Sequence, residues 1–196
     1  GNLDGWTVGG YSSDTGVKPN SNGTYTTSGV DGNYLYNTWW QGTPLTQTVG
    51  NIPNGIYELK ALLASDQNAK LFLLANDEHS EVYTITTDNK TFHDVSYEFK
   101  VLNGQAKIGV VGGNDAGEYL VNGHWWYKAD NFRLTYKGVD LSIIKEAYET
   151  ALANATAARD NSEYINIVGV ERTNLLNAIS LQPAENKSEL EAATTA

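Results

Sequence analysis

The chain has 196 residues, 40% of them hydrophobic and 18% charged, and a formal net charge of -10. That is room for one ordinary domain plus a smaller one, with enough apolar material for a packed core. The acidic balance argues against nucleic acid and anionic lipid, which need clustered Lys and Arg; no run of about 18 apolar residues could span a membrane; and zero Cys excludes disulfides, zinc–thiolate sites and a thiol nucleophile.

The chain opens at Gly1-Asn2-Leu3-Asp4-Gly5-Trp6, with no initiator Met and no signal peptide. We expect a fragment of a longer polypeptide, with other domains of the same chain as neighbours and any export signal lost. The stretch from Gly9 to Gly32 is rich in Gly, Ser, Asn, Asp and Thr and reads as a long loop. Tyr34 to Trp39 is an aromatic segment, and it leads into Leu45 to Val49. Pro53-Asn54 forms a turn, and Gly55 to Leu63 follows as a strand. Lys70 to Ala75 is a compact apolar run. Val82 to Thr87 is β-branched and polar by turns. Val95, Tyr97, Phe99 and Val101 alternate with polar residues, the period of a half-buried strand. Asn103-Gly104 predicts a tight hairpin, after which Ala106, Ile108 and Val110 resume the alternation. A second polar loop runs from Gly112 to Gly123. Phe132, Leu134 and Tyr136 alternate in the last strand. Several short strands at this spacing predict an antiparallel sandwich or barrel.

Composition changes near Gly138, where Ala, Glu, Asn and Leu replace Tyr, Trp, Thr and Val. Asp140 predicts the N-cap of a helix with Leu141, Ile144, Tyr148, Leu152 and Ala155 on one face. Asn161-Ser162 breaks it. Val168, Leu175, Leu176 and Ile179 mark a second amphipathic stretch, and Ser188-Glu189-Leu190 starts a third. We expect these stripes to pack on each other and to act as a spacer.

Three passages together resemble the galactose-binding-domain-like jelly rolls found as carbohydrate-binding modules in large exported proteins of gut Bacteroidetes. They are Tyr34 to Trp39 leading into Leu45 to Val49, Ile52 to Leu59, and the closing strand Ala129 to Tyr136. Residues 139–196 resemble the helical FIVAR-type segments that follow such modules. The resemblance implies a mainly β fold: an antiparallel jelly-roll β-sandwich over residues 1–138, then a small α-helical bundle segment over 139–196. It implies a non-catalytic carbohydrate-binding accessory module of a secreted, cell-surface or periplasmic protein. A spacer or protein-interaction module without a sugar site is the alternative, and a glycan-active enzyme a third reading.

The chain holds 5 Trp and 12 Tyr. Aromatic rings stack on the flat C–H faces of sugars, and short polar side chains bond the hydroxyls. Trp39-Trp40 and Trp125-Trp126-Tyr127 are the clusters of interest, with core packing as the competing explanation. Strand parity with Leu35 turns Trp39 inward and Trp40 outward. Parity with Phe132 and Leu134 turns Trp126 inward and Trp125 outward; Lys128 then also points inward unless a bulge intervenes. The expected carbohydrate contacts are Trp40 and Trp125, with His124, Asn114, Asp115 and Tyr11. The resemblance implies a structural calcium ion for Asp130, against a plain turn-capping role; no other cofactor is expected. His79, His93 and His124 lack metal-ligand spacing. No Gly-x-Ser-x-Gly elbow and no phosphate-binding Gly-rich loop occur.

Overall fold

The structure is a computed structural model and describes residues 3–10, 14–21, 23–39, 42–161 and 169–180. Two compact units result, Gly1–Gly138 and Val139–Ala196. The first holds β1 (Trp6–Val8), β2 (Gly16–Pro19), β3 (Tyr34–Asn37), β4 (Leu45–Gly50), β5 (Gly55–Ala64), β6 (Lys70–Ala75), β7 (Glu78–His79), β8 (Tyr83–Thr84), β9 (His93–Val101), β10 (Gln105–Gly112) and β11 (Lys128–Gly138). The second holds α1 (Leu141–Asp160) and α2 (Val170–Ser180).

The strands form two antiparallel sheets. One runs β1-β4-β10-β6-β7, with β8 also paired to β6; the other runs β2-β3-β11-β5-β9. This is a jelly-roll β-sandwich. Each sheet turns one row of side chains to the other. Tyr57, Leu59, Ala61 and Leu63 of β5, and Val95, Phe99 and Val101 of β9, face Leu71 and Leu73 of β6 and Ala106, Ile108 and Val110 of β10 in one core. Alternate residues of β5 stay half-buried, as period two requires. The apolar run of β6 has a different cause. Leu71 and Leu73 enter the main core, while Phe72 and Leu74 cluster with Val111 on the opposite face. Both faces of β6 are covered, so its sequence does not alternate.

Asn103-Gly104 does not close a hairpin. β9 pairs with β5 and β10 with β4 and β6, so this turn carries the chain from one sheet to the other. Gly104 takes the left-handed conformation expected of a tight turn (φ 73°). The turn is tied to the other crossover at this end. Gly104 N donates to Asn54 Oδ1 at 2.8 Å, and Ile52 N donates to Gly104 O at 3.1 Å. Local turn chemistry specifies the reversal of direction but not the sheet that receives the next strand.

In the second unit Asp140 caps α1: its Oδ1 accepts from Ser142 N at 3.0 Å and from Ser142 Oγ at 2.7 Å. This is the ordinary way to satisfy a free amide of the first turn. The helix ends at Asn161, whose amide donates to Ala158 O at 3.3 Å. Tyr148 is buried and Ile144, Leu152 and Ala155 are half-buried, but Leu141 stands exposed, so the predicted stripe is narrower at its start. Leu176 of the second stripe is exposed as well. Val168 and the predicted third stretch lie outside the described residues.

Candidate functional site

At one end of the sandwich residues 38–39 and 42–44 converge with the loops 65–69, 85–92 and 113–127. The register places them there: Lys128 pairs with Asn37 and Ala64, His93 with Leu63, Gly112 with Leu71, and Val110 with Leu45. Trp39 and Trp126 meet at this end, with ring centroids 5.5 Å apart and planes inclined by 50°. Trp39 is 45% exposed, and Trp126 is half-buried.

Trp39 and Trp126, both turned inward by the predicted parity, are instead the pair that meets at this end. Tyr127 and Ala129 face the core, and so do Phe132 and Leu134, although the first pair is odd-numbered and the second even. The parity changes at a bulge between Asp130 and Arg133, where Asn131 adopts a left-handed backbone (φ 46°). Counting back from Phe132 across the bulge therefore misplaces every residue before it. Trp125 packs against the core with a buried indole nitrogen, and Trp126 lies on the other side of the strand line. Trp39 follows the end of β3, so parity with Leu35 does not extend to it.

Asp66 holds the arrangement together. One carboxylate oxygen accepts from Trp126 Nε1 at 2.9 Å, and the other accepts from Asn89 Nδ2 at 3.1 Å. Asn89 O in turn accepts from Lys128 Nζ at 2.8 Å, and Lys128 Nζ also donates to Thr27 Oγ1 at 2.9 Å. Lys128 is 2% exposed, and burial pushes its ammonium below the usual lysine range. The side chain thus pins two loops over the outer face of its sheet. Ser65 Oγ donates to Trp126 O at 2.6 Å, fixing the backbone that carries the ring.

The loop between β10 and β11 presents His124, Asp115 and Asn114. His124 Nε2 lies 3.5 Å from Asp115 Oδ1, an ion pair when the imidazole is protonated, and both are well exposed. The His124 ring stands edge-on to Trp125 at 5.9 Å. Asn114 Nδ2 donates to Glu118 Oε2 at 2.8 Å, and Asn114 Oδ1 accepts from Glu118 N at 2.8 Å, closing a tight turn. The loop crosses the β3–β4 connection with almost no clearance. A Cβ on Gly42 would sit 1.7 Å from Trp125 O, a separation no side chain tolerates.

Of the sequence-predicted contacts, the structure brings His124, Asp115 and Trp125 together and keeps Asn114 in the same loop. Trp40 and Tyr11 lie outside the described residues. Trp39, Trp126, Asp66 and Asn89 were not among the predicted contacts. The Trp dyads are visible in the sequence, but the bulge decides how Trp125 and Trp126 face, and nothing in the sequence marks Asp66 or Asn89. His79 stacks on Tyr119 at 4.3 Å, and His93 Nε2 bonds Thr87 Oγ1 at 2.8 Å, both apart from His124.

Asp130 begins the bulge. Its Oδ2 accepts from Asp31 N at 2.7 Å, and burial holds its carboxyl above the usual range. Among the described residues no three His, Cys, Asp or Glu side chains gather to hold a metal ion. A hard cation needs several oxygen donors. This donor set does not fit the calcium ion implied by the resemblance.

No protein-family model matches the sequence, and no curated protein matches it. Among solved structures the chain is similar to the carbohydrate-binding module TmCBM61 in complex with beta-1,4-galactotriose, with a TM-score of 0.52 and 21% identity over 70% of this chain and 92% of that one. The sandwich has the fold of a carbohydrate-binding module. It is also similar to a family 35 module from Paenibacillus barcinonensis, with a TM-score of 0.48 and 16% identity over 69% of this chain and 95% of that one. A family 35 module from Clostridium thermocellum gives a TM-score of 0.47 and 12% identity over 69% and 95%.

Proposed function

We propose that the sandwich is a non-catalytic module that binds a glycan at the loop end, with Trp39 and Trp126 as the stacking surface. The pair of indoles, Trp39 exposed and Trp126 half-buried, carries this reading. Two large rings held together at a loop end offer apolar faces beside polar groups, the combination a pyranose requires. Asp66 and Asn89 stand next to Trp126 and can engage sugar hydroxyls by their remaining lone pairs and protons. His124, Asp115 and Asn114 are proposed as polar contacts on the adjoining loop, and Trp125 as the support beneath His124. The fold shared with TmCBM61, solved with beta-1,4-galactotriose, makes a β-linked galactan the first ligand to test.

A plant-wall, host-surface or microbial-wall glycan lies outside the cytoplasm. This reading therefore belongs to a secreted, cell-surface or periplasmic polypeptide, with the helical unit as a FIVAR-type spacer to further domains. Calorimetry against β-1,4-galactan and a panel of plant, host and microbial glycans tests the proposal. Binding is expected for at least one glycan, and Trp126→Ala is expected to weaken it about 30-fold, the loss of a binding hot spot. No binding at millimolar glycan across the panel would leave the sandwich as a spacer.

A further inference from the structure

We propose that the cleft between the two sheets, beside the edge strands β1 and β2, is a second binding site, for an uncharged aromatic ring bearing one hydroxyl, that is, a phenol. The cleft has a volume of about 410 Å³. That falls within the range of small-molecule sites. β1 and β2 are the terminal strands of their sheets.

The walls are chemically uneven. Leu45, Ile108 and Ala129 line the cleft and are almost fully buried, so part of its surface offers no hydrogen bonds. Trp6 and Phe132 also line it; their rings meet at 4.6 Å, inclined by 51°, and both are half-buried. Paired, partly wet aromatic surface of this kind accepts another flat ring.

One polar atom stands out. Tyr36 lines the cleft and is 5% exposed, yet its hydroxyl has no hydrogen-bond partner among the described residues. Buried hydroxyls are nearly always paired, because an unpaired one forfeits the bonds it made in water. A ligand oxygen placed against it would restore that bond. Burial pushes the Tyr36 hydroxyl up to about 12, so it remains a proton donor throughout the neutral range.

The same walls discriminate. A pyranose carries hydroxyls around its whole ring; Gln47, Asp130 and Asn131 could meet some of them, but the surface of Leu45, Ile108 and Ala129 could meet none. An anion would face Asp130, which also lines the cleft, in a chain of net charge -10. A neutral ring with a single hydroxyl meets both conditions: its body covers apolar surface and its oxygen pairs with Tyr36. This site is independent of the loop end.

Fluorine NMR of the full chain titrated with 4-fluorophenol tests the proposal. We expect saturable binding in the millimolar range or tighter. Tyr36→Phe, which keeps the ring and removes the hydroxyl, should weaken it about tenfold. Val17→Trp, at the lining position on β2, should abolish binding by filling the cleft, which keeps the test decisive if Tyr36→Phe fails to fold. Trp39→Ala should leave the phenol affinity unchanged, and 4-fluorobenzoate should bind at least about tenfold more weakly. Absence of saturation by about 10 mM, unchanged affinity in Tyr36→Phe or Val17→Trp, loss in Trp39→Ala, or equal binding of the benzoate would each overturn the assignment.

Discussion

Trp126 is held from two sides: its ring lies against Trp39 at 5.5 Å, and its Nε1 donates to Asp66 at 2.9 Å. The ring plane is thereby set before any ligand arrives, which lowers the ordering cost of binding. Asp66→Ala should therefore weaken glycan binding by about tenfold through the loss of this constraint, without removing an aromatic surface. Asp66→Asn, which keeps an acceptor for the indole, should recover most of the affinity. Equal losses in the two variants would mean that Asp66 acts through its charge on the ligand.

Lys128 should be a stability residue. Replacing it by Ala removes the donor for both Asn89 O and Thr27 Oγ1 and leaves a void under two loops. A loss of about 2 kcal/mol is expected, seen as a drop of several degrees in the thermal midpoint of the sandwich. Lys128→Met fills the space without a charge to bury and should cost less.

Gly42→Ala should damage the fold more than any exposed Trp substitution. The new Cβ would meet the backbone carbonyl of Trp125, which has no free rotation to move aside. Urea unfolding should show a loss of about 2 kcal/mol or more, or no folded protein. A midpoint equal to that of the parent would show that the two loops separate readily.

Alkaline pH should destabilise the sandwich. The Asp14 carboxylate beside Tyr25 and the burial of Tyr36 each push the phenol from 10.0 up to about 12, and burial also raises Tyr57, Tyr83, Tyr97 and Tyr127. The folded chain thus keeps protons that the unfolded chain releases. Their contribution is complete below pH 10 and is lost as pH rises from 10 towards 12. The phenolate absorbance of these six tyrosines should appear in step with the loss of β-sheet circular dichroism. Early release of most phenolic protons with the sheet intact would contradict the burial described here.

Tyr36→Phe should raise the thermal midpoint of the free protein by a few degrees, since about 1 kcal/mol of unpaired hydroxyl is removed with little change of shape. Asn131→Gly should be neutral to slightly destabilising, whereas Asn131→Val should cost about 1–2 kcal/mol, because a β-branched residue resists φ 46°. Both are read from denaturant midpoints.

Much of the architecture was legible in the sequence because it is written in short-range patterns. The alternation of Val95, Tyr97, Phe99 and Val101 needs only neighbours two residues apart, and Asp140 caps α1 through an amide two residues away. Other features depend on partners far along the chain. Asn103-Gly104 turns the chain, but the sheet that β10 joins is set by β4 and β6. Which of Trp125 and Trp126 faces the core depends on one bulge residue, Asn131, because a single inserted residue exchanges the two faces of a strand. Asp66, Asn89 and Lys128 are ordinary polar residues in sequence; only the folded chain links Asp66 and Asn89 from separate loops to each other, to Trp126 and to Lys128 of β11, and it does so because β5, β9 and β11 pair side by side in the sandwich.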